Sequence, residues 1–183
     1  MAKVVRAGYE RLAHGDPEPA GTSIAELIAA GETDKVEFKS TARYNAHTEA
    51  ADPRLEHVVL KTVAGFANST GGTLLVGVND SGGLLGLDGD LSVMKKPDVD
   101  RYQLWLTDLL ETAMGEPAAA GVNVMFPDVE GSQLCKVDVR AAATPVFVRP
   151  PGTQDQEFWV RIGNSTRLMT GADVIAYTKQ HWQ

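Results

Sequence analysis

At 183 residues, 43% hydrophobic and 22% charged, the chain has the size and composition of one soluble domain with its own core. No run approaches the roughly 20 apolar residues of a membrane span. The opening Met1–Glu10 lacks the apolar centre of a signal peptide. One cysteine and four scattered histidines give no internal disulfide and no zinc spacing, and a lone thiol fits a reducing, cytoplasmic setting. The net charge of −7 opposes indiscriminate phosphate binding, yet Lys136–Gln183 holds six Lys/Arg against four acids, which leaves room for a local basic face.

Residues 1–22 read as a tail or linker: a short helical pattern over 2–13, then the turn-forming Asp16–Thr22. Such a segment is either a plain tail or the remnant of a connection inside a longer parent protein. The domain proper is expected over 23–183. Ser23-x-x-Glu26 is a capping box opening a helix over Ile24–Ala30, stopped by Gly31. Lys35–Lys39 alternates as a strand, with Val36 and Phe38 on one face and Lys35, Glu37 and Lys39 on the other. That charged face is either a solvated surface or a carboxylate set between lysines for a cation and a polyanion. Residues 40–55 read as a long polar loop, in which Arg43, Tyr44, Asn45 and His47 either meet nucleic acid or simply face water.

Val59, Val63 and Phe66 then recur at helical spacing, and Gly71–Gly72 ends that helix. Thr73–Val78 is an apolar, β-branched run of the kind buried on both sheet faces. Asn79–Gly83 is turn chemistry, so Asp80 sits past a strand end: either a plain turn residue or a side chain presented to a ligand. Leu84–Leu87 suggests a short returning strand, and Asp88–Pro97 a loop carrying Lys95 and Lys96. Asp98 caps a helix to Met114, with Tyr102, Leu106, Leu109 and Ala113 as its apolar stripe and Trp105 assigned to the core. Val122–Phe126, Leu134–Val139, Pro145–Arg149 and Glu157–Ile162 read as four strands of an antiparallel meander. Gly163–Arg167 reads as a donor-rich turn, and Thr170-x-x-Asp173 as a capping box starting a last helix to about Trp182.

No phosphate loop, dinucleotide fingerprint or nucleophile elbow is present. The acids Glu32, Glu37 and Asp80 stand out instead, because carboxylates meeting at one point need a cation or protons between them, and Mg²⁺ or Mn²⁺ takes such oxygen ligands. Glu32-x4-Glu37-Phe38-Lys39, Phe66-Ala67-Asn68, Gly71-Gly72, Gly77-Val78-Asn79-Asp80 and Val160-Arg161-Ile-Gly163-Asn-Ser-Thr-Arg167 together resemble the Schlafen-type AlbA_2 domain family. The resemblance runs from about Ser23 to Trp182. It implies an α+β fold, a mixed sheet with packed helices, and association with nucleic acid. Bacterial members often accompany transcription-regulator or defence domains. In nuclease-type Schlafen proteins two glutamates and an aspartate at these motif positions form a metal-dependent site cleaving tRNA or rRNA. The matching residues here are Glu32, Glu37 and Asp80, with Lys39 beside the scissile phosphate.

The resemblance thus implies a metal-dependent endoribonuclease holding Mg²⁺ or Mn²⁺, with RNA favoured over DNA. Lys35, Arg43, Arg161, Asn164 and Arg167 would position the backbone. A homodimer is expected, to match the two lobes of those relatives. The alternative is a non-catalytic nucleic-acid-binding regulatory module in which the acids are structural.

Overall fold

The computed structural model describes residues 23–182; the tail and helix expected over 1–22 lie outside them. Helix α1 (Ile24–Ala30) forms as its capping box dictates: the Glu26 N–H donates to Ser23 Oγ at 3.2 Å, and the Ser23 N–H donates to Glu26 Oε2 at 2.7 Å. Beyond Gly31 the chain enters β1 (Val36–Lys39). It then crosses over through helix α2 (Pro53–Ala67) into β4 (Gly72–Val76), which lies parallel to β1. Strands β8 (Cys135–Val139) and β5 (Val122–Met125) add antiparallel neighbours, giving the order β1-β4-β8-β5 in a mixed sheet.

The register sorts the side chains. Glu37, Leu74, Val137 and Val124 align on one face, and Val36 and Thr73 on the other. The first face carries the main core, in which Leu74, Val76 and Val137 pack on Val59, Leu60, Val63 and Phe66 of α2. Leu106 and Leu110 of helix α4 (Val99–Met114) join the same core. The second face holds a smaller cluster, Val36, Phe38 and Leu75 beneath Leu27 of α1. Gly77, at φ 93°, ends β4. Both the Gly77 and Val78 N–H groups donate to the Lys39 carbonyl, and this bulge turns Val78 into the smaller cluster.

A separate hairpin, β9 (Phe158–Ile162) with β10 (Ser165–Met169), packs against α2. Gly65 allows that approach, because a Cβ there would lie 2.9 Å from Thr166 Cγ2. Asn68, fully buried at the end of α2, fastens this layer. Its Nδ2 donates to the carbonyls of Val146 and Trp159, each at 2.8 Å, and its Oδ1 accepts from the Val146 N–H. Helix α6 (Ala172–Trp182) closes the hairpin's other side, with Tyr177 and Trp182 against the Phe158 ring. Its first turn is closed by the Asp173 N–H donating to the Thr170 carbonyl. The fold is α+β, as expected, with six helices among the described residues.

Four local expectations need correction. The meander breaks after β8: Pro145 and Pro150–Pro151 cannot donate to a ladder, so residues 145–149 contribute only the bridge Val148↔Glu157, and β9 leaves the main sheet. Gly163–Arg167 is mostly strand, the turn shrinking to Gly163–Asn164. The loop over 40–55 contains a small antiparallel pair, β2 (Tyr44–Asn45) with β3 (Ala50–Ala51), and α2 starts inside it at Pro53, capped by Asp52. The loop over 88–97 opens with a short helix α3 (Asp88–Ser92), and Leu84–Leu87 keeps only the bridge Leu84↔Val78. A further short helix α5 (Glu116–Ala119) and a small β6–β7 pair (Asp128–Val129, Ser132–Gln133) complete the fold.

Candidate nucleic-acid interface

Strand β1 is an edge strand, and the charged residues of the motif serve that edge. In a parallel pair alternate residues direct both backbone groups outward, here Val36 and Phe38. All four outward groups are satisfied. The Val36 N–H donates to Thr33 Oγ1 (3.1 Å) and its carbonyl accepts from the Thr33 N–H (2.9 Å). The Phe38 N–H donates to Glu32 Oε1 (2.9 Å) and its carbonyl accepts from Lys39 Nζ (2.7 Å). The edge is thereby blunted against pairing with another chain.

Glu37 lies beside this edge between two cations. Lys39 Nζ donates to its Oε1 and Arg161 Nη1 to its Oε2, both at 2.6 Å. The Arg161 side chain, only 3% exposed, also donates from Nη2 to the Thr33 carbonyl at 2.6 Å, and its guanidinium lies 5.2 Å from the centre of the Phe66 ring. One side chain of β9 therefore clamps the hairpin onto β1 and α2. Lys35 Nζ donates to the carbonyl and hydroxyl of Thr70, both at 2.6 Å, tying β1 to the segment after α2.

The expected convergence of Glu32, Glu37 and Asp80 on one cation is not found. Among the described residues no group of three or more Asp, Glu, His or Cys is placed to hold a metal ion. Both oxygens of Glu37 face basic partners, and one oxygen of Glu32 holds a backbone N–H. Asp80 is exposed in a turn organised by its neighbour: Asn79 Oδ1 accepts from the N–H groups of Ser81 and Gly83 and from the Ser81 hydroxyl. Gly82 of that turn sits beside Ile28 of α1, on the face opposite Glu37. The donor set as it stands does not fit Mg²⁺ or Mn²⁺, which need free oxygens directed to one point.

The residues expected to meet phosphate divide in two. Lys35 and Arg161 are engaged as above. Arg43 is wedged inside as well, 4.5 Å from the centre of the Trp105 ring and 3.5 Å from Glu56 Oε1. Asn164 and Arg167 are exposed on the hairpin, and Arg167 has no ion pair among the described residues.

Asp90 was not among the residues singled out from sequence. It is 1% exposed; its oxygens accept from the N–H groups of Ala42, Arg43 and Tyr44 and from the Tyr102 hydroxyl, and so fix the start of the 40–55 segment. Burial, with the Asp90 charge beside it, pushes the Tyr102 hydroxyl well above the ordinary tyrosine range. The Asp88-Gly-Asp90 turn chemistry gives no hint of this role, because the three backbone partners lie 46 to 48 residues away. Sequence reading also passed over Leu104, which lies off the apolar stripe of α4 and is 55% exposed.

The model of the family described as "Schlafen, AlbA_2" matches residues 32–170. The chain belongs to this family. No curated protein matches it. The crystal structure of the DIP2311 protein from Corynebacterium diphtheriae is similar at TM-score 0.54 and 23% identity, over 82% of this chain and 28% of that one. The chain thus spans little more than a quarter of that relative, and the likeness is one of fold. The solution structure of the N-terminal domain of a protein from Nitrosomonas europaea, named as related to the ATP-dependent DNA helicase RecG, matches at TM-score 0.45 and 25% identity, over 80% of this chain and 90% of that one. No helix among the described residues is long and apolar enough to cross a membrane.

Proposed function

We propose that this AlbA_2 domain is a nucleic-acid-binding module that meets phosphate with the β9–β10 hairpin. One observation carries the reading: Arg167 is exposed without an ion-pair partner among the described residues, on a two-stranded ribbon whose turn offers Asn164. The Arg161 clamp behind it holds the ribbon in place. A two-stranded ribbon fits a nucleic-acid groove, and arginine takes a phosphate with two parallel hydrogen bonds. Family membership supports a nucleic-acid-related role, in a regulatory or defence setting within a longer protein. The charge of −7 works against an extended phosphate contact.

The test is a binding isotherm at several salt concentrations on tRNA, single-stranded DNA and duplex DNA. Arg167→Ala is expected to weaken binding and to reduce the salt slope by about 1. Wild-type affinity and slope in that variant would overturn the hairpin assignment. The three arms decide whether RNA is preferred.

A second reading, metal-dependent endoribonuclease, draws on the motif match at Glu32, Glu37, Asp80 and Lys39 and on the exposure of Asp80. It requires Glu37 to exchange Lys39 and Arg161 for a cation. Cleavage of tRNA that needs Mn²⁺, stops with EDTA and is lost in a folded Asp80→Asn protein would establish it. Cleavage indifferent to Asp80→Asn would exclude this site.

A further inference from the structure

A well-formed open groove lies away from the motif. It has a volume of about 640 Å³ and runs along the outer side of α4, lined by Met94, Arg101, Leu104, Trp105, Asp108 and Leu109, among others. Its centre is apolar and its ends are charged. Arg101 and Asp108 are exposed, and neither has an ion-pair partner among the described residues.

The spacing of these residues is self-complementary. Arg101, Leu104, Trp105, Asp108 and Thr112 fall at steps of three and four, so they share one helical stripe, as their common cavity shows. Arg101 and Asp108 stand about 10 Å apart along the axis. The midpoint between them is the Leu104–Trp105 level. A second copy of α4 laid antiparallel across a twofold axis at that level sets Arg101 against the partner's Asp108, and Asp108 against the partner's Arg101. Leu104, 55% exposed in one chain, then meets its own symmetry mate or Trp105. This is the condition for an isologous contact, in which one patch serves both subunits.

We propose that the α4 groove is the seat of a second copy of this chain, paired antiparallel about Leu104. Lys95 and Lys96, at the N-terminal end of the groove, face the partner's helix C-terminus, where carbonyl groups favour cations. The hairpin lies on other elements, so the pairing and the phosphate contact are separable.

The experiment measures mass by sedimentation over a concentration series on four proteins: the natural sequence, Arg101→Asp, Asp108→Arg and the double exchange. The natural chain is expected to dimerise. Each single reversal creates two like-charge contacts by symmetry and is expected to weaken the dimer at least about tenfold. The double exchange should return affinity to within about threefold of the natural chain, because both pairs are restored with opposite sense. Leu104→Cys gives an independent readout: Cys135 is buried, so mild oxidation should link two chains through the new thiol, and less so when Arg101→Asp is added. A monomer at every concentration overturns the proposal, as does a dimer indifferent to both reversals. Loss of nucleic-acid binding on the single reversals, with mass unchanged, would overturn it too and assign the groove to nucleic acid. Binding that survives in a dispersed dimer leaves the hairpin reading intact.

Discussion

Two charged regions of this molecule look alike in sequence and behave differently in the fold. Around β1, Lys35, Glu37 and Lys39 alternate with Val36 and Phe38, Glu32 lies just before them, and each of the four is held by a protein partner. Along α4 and the turn before it, Lys95, Lys96, Arg101 and Asp108 stand exposed around an apolar groove. Charge in the first region joins layers of one chain; charge in the second is available to another molecule. What separates them is the geometry of an edge strand. Its outward N–H and C=O groups draw in whatever polar side chains are near, whereas an exposed helix has satisfied its own backbone.

The sharpest way to break the comparison is to remove the clamp. Arg161→Ala leaves Glu37 with Lys39 alone and strips the Thr33 carbonyl of its donor in a nearly sealed site. A loss of about 3 kcal/mol is expected in denaturant unfolding. Glu37→Gln should cost less, about 1–2 kcal/mol, because an amide still accepts one hydrogen bond. If Glu37 instead waited for a metal, neutralising it would leave stability unchanged or raise it. The sign of that one change separates the two views.

Next in size is Asp90. Asp90→Ala removes the acceptor for three backbone N–H groups and a hydroxyl. A loss of about 2–3 kcal/mol is expected, with faster amide exchange at Ala42–Tyr44 as its local signature. Uniform exchange across the chain, with the same drop in stability, would show that Asp90 serves the core and not the loop.

These residues show where sequence reading stops. Helices α1, α2 and α4 were legible because caps and 3.6-residue spacing are local, and β4 and β8 because buried β-branched runs are. The positions that resemble the family were legible too, Arg161, Asn68 and Glu37 among them. Their work was not. Arg161 reaches Glu37 across 124 residues, so no local pattern distinguishes a clamp from a phosphate contact. By sequence the Gly163–Arg167 segment reads as a turn because Gly, Asn, Ser and Thr are turn formers. A two-residue turn followed by β10 uses the same letters, and only pairing with β9 decides.

The smallest expected effect lies between the two regions, at the start of α2, and it depends on pH. Asp52 caps the helix; the Arg54 guanidinium, then the Asn45 amide and the Arg54 N–H, hold its carboxyl well below the usual range. One turn on, Glu56 is shifted the other way: burial raises it, and the Arg43 charge offsets only part of that cost. The signs are therefore opposite. A lowered Asp52 contributes stability above the ordinary carboxylate range and loses it as pH falls through its own folded value. A raised Glu56 favours the fold while protonated and loses that contribution as pH rises through its folded value. In melting curves taken between about pH 3 and pH 7, Asp52→Asn should melt below the natural chain at neutral pH, and Glu56→Gln at or above it. Glu56→Gln should converge on the natural chain toward the acid end, where Glu56 is increasingly neutral. The Asp52→Asn deficit should only begin to narrow there, as Asp52 of the unfolded chain takes up protons while that of the folded chain stays ionised. An Asp52→Asn deficit that stays constant over the whole range would mean that the cap acts through shape alone. A Glu56→Gln deficit at neutral pH would mean that the Arg43–Glu56 pair, and with it the packing of Arg43 on Trp105, outweighs the burial of the charge.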